Sequence, residues 1–206
     1  MRGSDMELRT DLQLISEWVV PGSRILDLGC GDGTLLRHLR DTRQVTGYGL
    51  ELDPDNVIAC VDAGLNVIHT NLDDGLKDYF DDNSFDVVVM SQALQVMRFP
   101  SWTLSEMLRV GREGIVTFPN FGHWQCRLQL GLGGRMPVSR TLPATWYDTQ
   151  NIHLCTFRDF EALCREKNIR ILERTVVDHA HRTSLGMRLL PNLLGEVAIY
   201  RFTKYA

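Results

Sequence analysis

The apolar positions of this chain follow two alternating rhythms. Leu12, Ile15, Trp18 and Val19 recur at helical spacing ahead of Pro21-Gly22, which predicts an amphipathic helix stopped by a turn. A short buried strand follows over residues 24–28, and Leu35, Leu36 and Leu39 mark the inner face of a second helix. The exchange then repeats. A strand spans 46–52, a helix opens at Pro54 and is closed by Gly64, and short strand 66–69 precedes a β-branched strand, 84–90, that is apolar on both faces. A helix over 102–110 and a strand over 114–118 complete the run. Five strands alternating with helices predict a parallel, doubly wound sheet with right-handed crossovers.

From Pro119 the rhythm breaks. About 37 residues rich in Gly, Pro and aromatics precede the next helix, 157–167, and a loop of that length is usually functional. Strands are predicted over 170–177 and 197–203, separated by a second long excursion, 179–194, that carries Arg182 and Arg188. One α/β domain is expected over 8–206, with a cofactor-binding half, 8–118, and a loop-rich substrate or partner half, 119–206. Met1-Arg2-Gly3-Ser4 resembles a cloning scar and is left out of the fold.

The chemistry concentrates in Arg24-Ile25-Leu26-Asp27-Leu28-Gly29-Cys30-Gly31-Asp32-Gly33, where a strand enters a glycine turn ahead of a helix. Glycines there allow a tight turn and close approach to a ligand, beside the free N–H groups of the helix. A dinucleotide fingerprint is G-x-G-x-x-G, whereas this spacing is G-x-G-x-G with a carboxylate two residues earlier. Asp27 would repel a pyrophosphate but suits the sulfonium and ammonium of S-adenosylmethionine (SAM). The loop resembles the first motif of the class I SAM-dependent methyltransferases, whose fold implies a mostly parallel seven-stranded sheet with an antiparallel last strand. Glu51 ends the next strand 18 positions after Gly33, near the offset of a ribose-binding carboxylate, and is expected to accept both ribose hydroxyls. Asn71 and Leu72 leave the third strand where the resemblance places adenine, although Asn-Leu-Asp-Asp also reads as a turn. Cys30 and Leu52 sit within the same two turns, and Gln92 leaves the fourth strand over the methyl-transfer position. SAM or S-adenosylhomocysteine (SAH) is the expected ligand.

That fourth exit, Ser91-Gln92-Ala93-Leu94-Gln95, is not the Asp/Asn-Pro-Pro-Tyr sequence with which many amino-group methyltransferases hold a planar nitrogen, so methylation of adenine, amides or DNA bases is disfavoured. His123, Tyr147 and His153, with Asp148, are weak candidates for acid–base work. Methyl transfer from an activated sulfonium can proceed by proximity and alignment alone, so a missing base does not exclude an enzyme. His123-x-x-Cys126 and His153-x-Cys155 match no zinc spacing, and no metal is expected. There is no G-x-S-x-G elbow for acyl transfer.

Composition narrows the setting. Across 206 residues, 44% hydrophobic, no apolar run reaches a membrane span and no charged-then-apolar leader opens the chain. Five cysteines, odd in number and without a C-x-x-C pair, suit reduced thiols, and a cytoplasmic protein is expected. Charge is split between the halves. Residues 1–118 hold 10 Lys or Arg against 19 Asp or Glu, whereas residues 119–206 hold 12 against 7. The split reads as ordinary solvated surface or, more sharply, as a later half that faces an acidic partner surface or an anionic substrate, while the acidic total argues against general nucleic-acid binding.

Phe118-Pro119-Asn120-Phe121-Gly122-His123-Trp124, taken with Arg135-Met136-Pro137-Val138, Thr145-Trp146-Tyr147, Asn151-Ile152-His153 and Pro191-Asn192-Leu193-Leu194-Gly195-Glu196, resembles the bacterial methionine-biosynthesis protein W (MetW) family over nearly the whole chain. The resemblance implies a role in methionine synthesis beside homoserine O-acyltransferase, and carries the cofactor residues onto Asp27, Gly29, Gly31, Gly33, Glu51, Asn71 and Leu72. Asn71 stands where the wider methyltransferase pattern has an acid. Two functions remain open: a SAM-binding partner or regulator of the acyltransferase, and a SAM-dependent methyltransferase acting on a small molecule.

Overall fold

The computed structural model describes residues 9–178 and 184–205. The chain runs α1 (Thr10–Trp18), β1 (Arg24–Leu28), α2 (Thr34–Arg43), β2 (Thr46–Glu51), α3 (Pro54–Asp62), β3 (Val67–His69), β4 (Phe85–Ser91), α4 (Pro100–Val110) and β5 (Gly111–Pro119). It continues through α5 (Trp124–Gly131), α6 (Phe157–Glu166), β6 (Ile169–Val177), α7 (Leu185–Leu189), α8 (Pro191–Leu194) and β7 (Val197–Lys204). The seven strands form one sheet in the order β3-β2-β1-β4-β5-β7-β6. Pairing is parallel from β3 to β5, and β7 runs antiparallel to both β5 and β6.

Strand alternation sorts the side chains into two cores. Leu26, Leu28, Val88, Met90, Val116 and Phe118 face α4 and α6, where Leu104, Met107, Phe157 and Phe160 meet Tyr200 and Phe202 of β7. Ile25, Val87, Val89 and Ile115 point the other way, against Leu12 and Ile15 of α1 and Leu35, Leu36 and Leu39 of α2. Asp27 lies two residues after Ile25 and so shares the α1/α2 face, as the two-residue period of a strand requires. The chain leaves β1 toward β2 and β3, then returns to β4 on the other side. This reversal opens a crevice at the C-terminal ends of β1 and β4.

Several stretches differ from expectation, among them the second excursion, where the short helices α7 and α8 form. β5 begins three residues earlier than predicted: Gly111 already pairs with Phe85 of β4, and polar Glu113 is accommodated by its ion pair with Arg201 of β7 at 2.7 Å. α5 lies in the stretch read as loop. Trp124, Leu128 and Leu130 are exposed beside Gln125 and Arg127, so apolar and polar side chains mix on its outer face and the helical period is hidden. Of the second excursion, Arg182 lies outside the described residues.

Candidate functional site

The glycine turn is built by backbone geometry that side chains rarely adopt. Gly29, Gly31 and Gly33 hold φ of +74°, +55° and +75°, and a Cβ on Gly33 would lie 2.3 Å from Leu65 Cδ1. The N–H groups of Gly29 and Cys30 donate to Leu50 O at 2.8 and 3.1 Å, binding the turn to β2. Asp32 accepts from the N–H and hydroxyl of Thr34 at 3.1 and 2.7 Å, fixing the start of α2.

Glu51 unites the turn with the exit of β2. Its Oε2 accepts the Gly31 N–H at 2.8 Å, and its Oε1 accepts the N–H groups of Leu52 and Asp53, each at 2.9 Å. A carboxylate has about four acceptor positions, so about one remains. The expected bond to both ribose hydroxyls would have to displace a backbone donor. β3 is stitched to the same place: Thr70 N–H donates to Glu51 O at 3.0 Å, and a His69 ring nitrogen lies 2.9 Å from Leu52 O.

Asp27 is 2% exposed, and among the described residues no donor bonds to its carboxylate. Burial, reinforced by the nearby charge of Glu51, pushes its pKa up to about 7. Such a group is costly for the fold alone and is stabilised by a cation brought to it. It borders a crevice of about 370 Å³, shared with Leu12, Cys30, Asp32, Ser91 and Arg9. Arg9 was not foreseen. It stands just before α1 and makes two bonds to Asp11, at 3.1 and 2.7 Å, which leave other guanidinium donors available. Cys30 Sγ lies 3.9 Å from Cys60 Sγ, and burial pushes both thiols up, which keeps them protonated.

The other predicted positions surround this crevice at strand exits without lining it. Asn71 Oδ1 accepts Asp73 N–H at 3.0 Å, so the carbonyl side of this amide serves the turn, and Leu72 packs in part against the core. Gln92 has φ of +56° and is held there by Thr117, whose carbonyl and hydroxyl accept its N–H at 3.1 and 3.0 Å. No hydrogen bond or ring contact joins His123, Tyr147 and His153 among the described residues. His123 is buried ahead of α5, where burial lowers its pKa against a counteracting pull from Glu196. Tyr147 is 74% exposed beside Trp146, and a His153 ring nitrogen lies 3.3 Å from Arg98 O. Among the described residues no three His, Cys, Asp or Glu side chains form a metal-binding group.

Two of the second-half motifs, 118–124 and 191–196, meet at Asn120. Its side-chain amide, 2% exposed, donates to Gly195 O at 2.7 Å and Asn192 O at 3.3 Å and accepts Gly122 N–H at 2.9 Å. Phe121 N–H donates to Cys155 O at 2.9 Å, and the N–H groups of Ile152 and His153 both reach Gln95 O. Four distant loops are thus joined above the C-terminal end of the sheet.

This strand order and glycine turn define the fold of the class I SAM-dependent methyltransferases. Solved structures agree: a SAM-dependent methyltransferase from Mesorhizobium loti aligns with TM-score 0.69 at 16% identity, covering 95% of this chain and 98% of that one. A putative methyltransferase complex with the Trm112 activator from Haloferax volcanii aligns at 0.68 and 16%, covering 96% and 90%. Within this fold the chain belongs to the family of the methionine biosynthesis protein MetW, which it matches over residues 9–202. The bifunctional methionine biosynthesis protein MetXA/MetW of Rhodopirellula baltica is 34% identical over 97% of this chain, which spans only 33% of that relative. Among the described residues no helix is long and apolar enough to cross a membrane.

Proposed function

We propose that this protein binds SAM or SAH in the β1/β4 crevice and acts as a partner or regulator of homoserine O-acyltransferase, the enzyme that forms O-succinyl- or O-acetylhomoserine. The observation that carries this reading is the relative whose single chain unites MetXA with MetW, since partners that work together are often joined. In this reading the MetXA portion is the acyltransferase. The place of action is the cytoplasm, where five free cysteines stay reduced.

The crevice gives each part of the ligand a chemical match. Asp27 faces the sulfonium and ammonium, and the spare donors of Arg9 meet the carboxylate. The glycine turn, including Gly29, Cys30, Gly31 and Gly33, admits close approach. The remaining acceptor position of Glu51 takes one ribose hydroxyl, while Leu52, Leu72 and the Asn71 amide border the adenine, and Gln92 stands near the sulfonium end. Acid–base machinery is less well matched: no hydrogen bond or ring contact joins the three candidate side chains, and none of them lines the crevice. The missing acceptor motif and the long, basic, aromatic second half, beside the lack of a clear base, favour a regulatory ligand over a methyl donor. SAM carries methionine's own skeleton, so its binding would report the product of the pathway to an early enzyme.

A methyltransferase acting on a small molecule is the second reading, favoured by the unpartnered Asp27 carboxylate beside an open crevice. The two are separated by measuring acyltransferase rate and complex affinity with and without saturating SAM. Regulation requires different SAM affinities in the free and complexed protein, and a coupling of about 1–3 kcal/mol changes partner affinity roughly 5- to 150-fold. If neither quantity changes while labelled methyl passes to a metabolite extract, the second reading replaces the first.

A further inference from the structure

The segment after β5 presents apolar surface that the described fold leaves uncovered. Trp124, Leu128, Leu132, Met136, Trp146 and Tyr147 are each at least 41% exposed, and Leu132, Trp146 and Tyr147 exceed 70%. Isolated apolar residues on a surface are ordinary, whereas a connected patch marks an interaction site.

Hydrogen bonds connect this one. Gln129 of α5 donates from Nε2 to Val138 O at 3.0 Å and accepts Val138 N–H at 2.9 Å, and Gly134 and Arg135 N–H groups return to Leu130 O and Gln129 O. The loop is therefore tied back to the helix. Met136 and Val138 on one side and Trp146 and Tyr147 on the other border a groove of about 570 Å³. The two aromatic rings meet edge to face, with centroids 5.6 Å apart at 90°. Large, preset aromatic rings supply contact area with little entropy to lose.

Charge says what kind of surface fits. Residues 119–148 contain three arginines and a single acid, Asp148 at the end of the loop. Arg127 is spent internally on Gly122 O and Asn192 O, but among the described residues Arg135 and Arg140 have no carboxylate partner. A matching surface has an apolar centre and an acidic rim.

Resting on the partner reading above, we propose that α5 and the loop 132–148 are the face that seats homoserine O-acyltransferase, with a partner apolar side chain entering the groove beside Trp146 and Tyr147. The relative that carries MetXA in the same chain favours this occupant over a second copy. Tryptophan, tyrosine and arginine, the side chains concentrated here, are those that most often dominate binding energy.

The test uses the full chain and purified homoserine O-acyltransferase, with association followed by calorimetry or interferometry. Trp146→Ser/Tyr147→Ser weakens association roughly thirtyfold or more, and Leu132→Ser weakens it less. Arg135→Glu lowers the association rate and flattens its salt dependence. Ile58→Ser/Val61→Ser removes apolar side chains of comparable exposure from α3 and leaves association unchanged. All variants keep wild-type circular dichroism and SAM titration, which separates lost contact from lost fold. Wild-type association that survives both Trp146→Ser/Tyr147→Ser and Leu132→Ser overturns the surface and leaves the partner reading standing. Failure of the wild-type chain to associate overturns the partner reading itself. Concentration-dependent self-association that the variants abolish, with acyltransferase binding intact, assigns the face to a second copy and overturns the proposal.

Discussion

The carboxylate of Glu51 accepts the backbone N–H of Gly31 at 2.8 Å, so the residue at the end of β2 also sets the shape of the turn after β1. Its other oxygen holds the two residues that lead into α3. Glu51→Ala therefore removes three backbone anchors as well as any ribose contact. Calorimetry is expected to show SAM affinity reduced by about 1.5–3 kcal/mol or more, the range for a hydrogen bond to a charged group. Amide exchange at Gly31 should accelerate even without ligand. Unchanged exchange there would show that the turn holds its shape without Glu51.

The Asp27 carboxyl, raised to about 7, makes cation binding pH-dependent. A cationic ligand prefers ionised Asp27, so SAM affinity should rise as pH increases from 5.5 to 7, by up to about tenfold per pH unit. Asp27→Asn should lack that slope. Stability moves the opposite way: the folded state holds the proton more tightly than the unfolded chain, so stability falls as pH rises between about 4 and 7. Chemical denaturation across this window should show the fall, and Asp27→Asn should flatten it.

In the proposed ligand site, Arg9 meets the carboxylate. Arg9→Ala is expected to cost on the order of 1.5 kcal/mol in SAM affinity, the low end for a charge-assisted bond at a site open to water. 5′-Methylthioadenosine has no carboxylate and should bind wild type and variant alike. Equal losses for both ligands would instead point to a displaced α1.

The Asn120 junction is predicted to matter for stability rather than for the ligand. Asn120→Ala leaves Gly195 O and Gly122 N–H without this partner inside the protein, a cost of about 2–4 kcal/mol. That corresponds to a fall in Tm on the order of 5–15 °C for a chain of this size. SAM affinity, titrated well below the new Tm, should be near wild type.

Much of this protein was legible in its sequence because the decisive signals are local. Strand and helix periods, Pro54 at a helix start, Gly64 at a helix end and the G-x-G-x-G turn each lie within a few residues, and each formed near its expected place. Asp27 stood out for the same reason, as the carboxylate two residues before that turn. Only the tertiary structure showed that Asp27 is buried without a donor, that three backbone N–H groups already occupy Glu51, and that Arg9 reaches the same crevice. It also left His123, Tyr147 and His153 without a mutual hydrogen bond or ring contact, and joined the motifs around Asn120 and Gly195 by a bond across 75 residues. α5 escaped the period because apolar and polar side chains mix on its outer face. A repeat reports burial only where one face meets water, and the partners of a buried polar group are chosen by the folding of distant segments rather than by its neighbours in the chain.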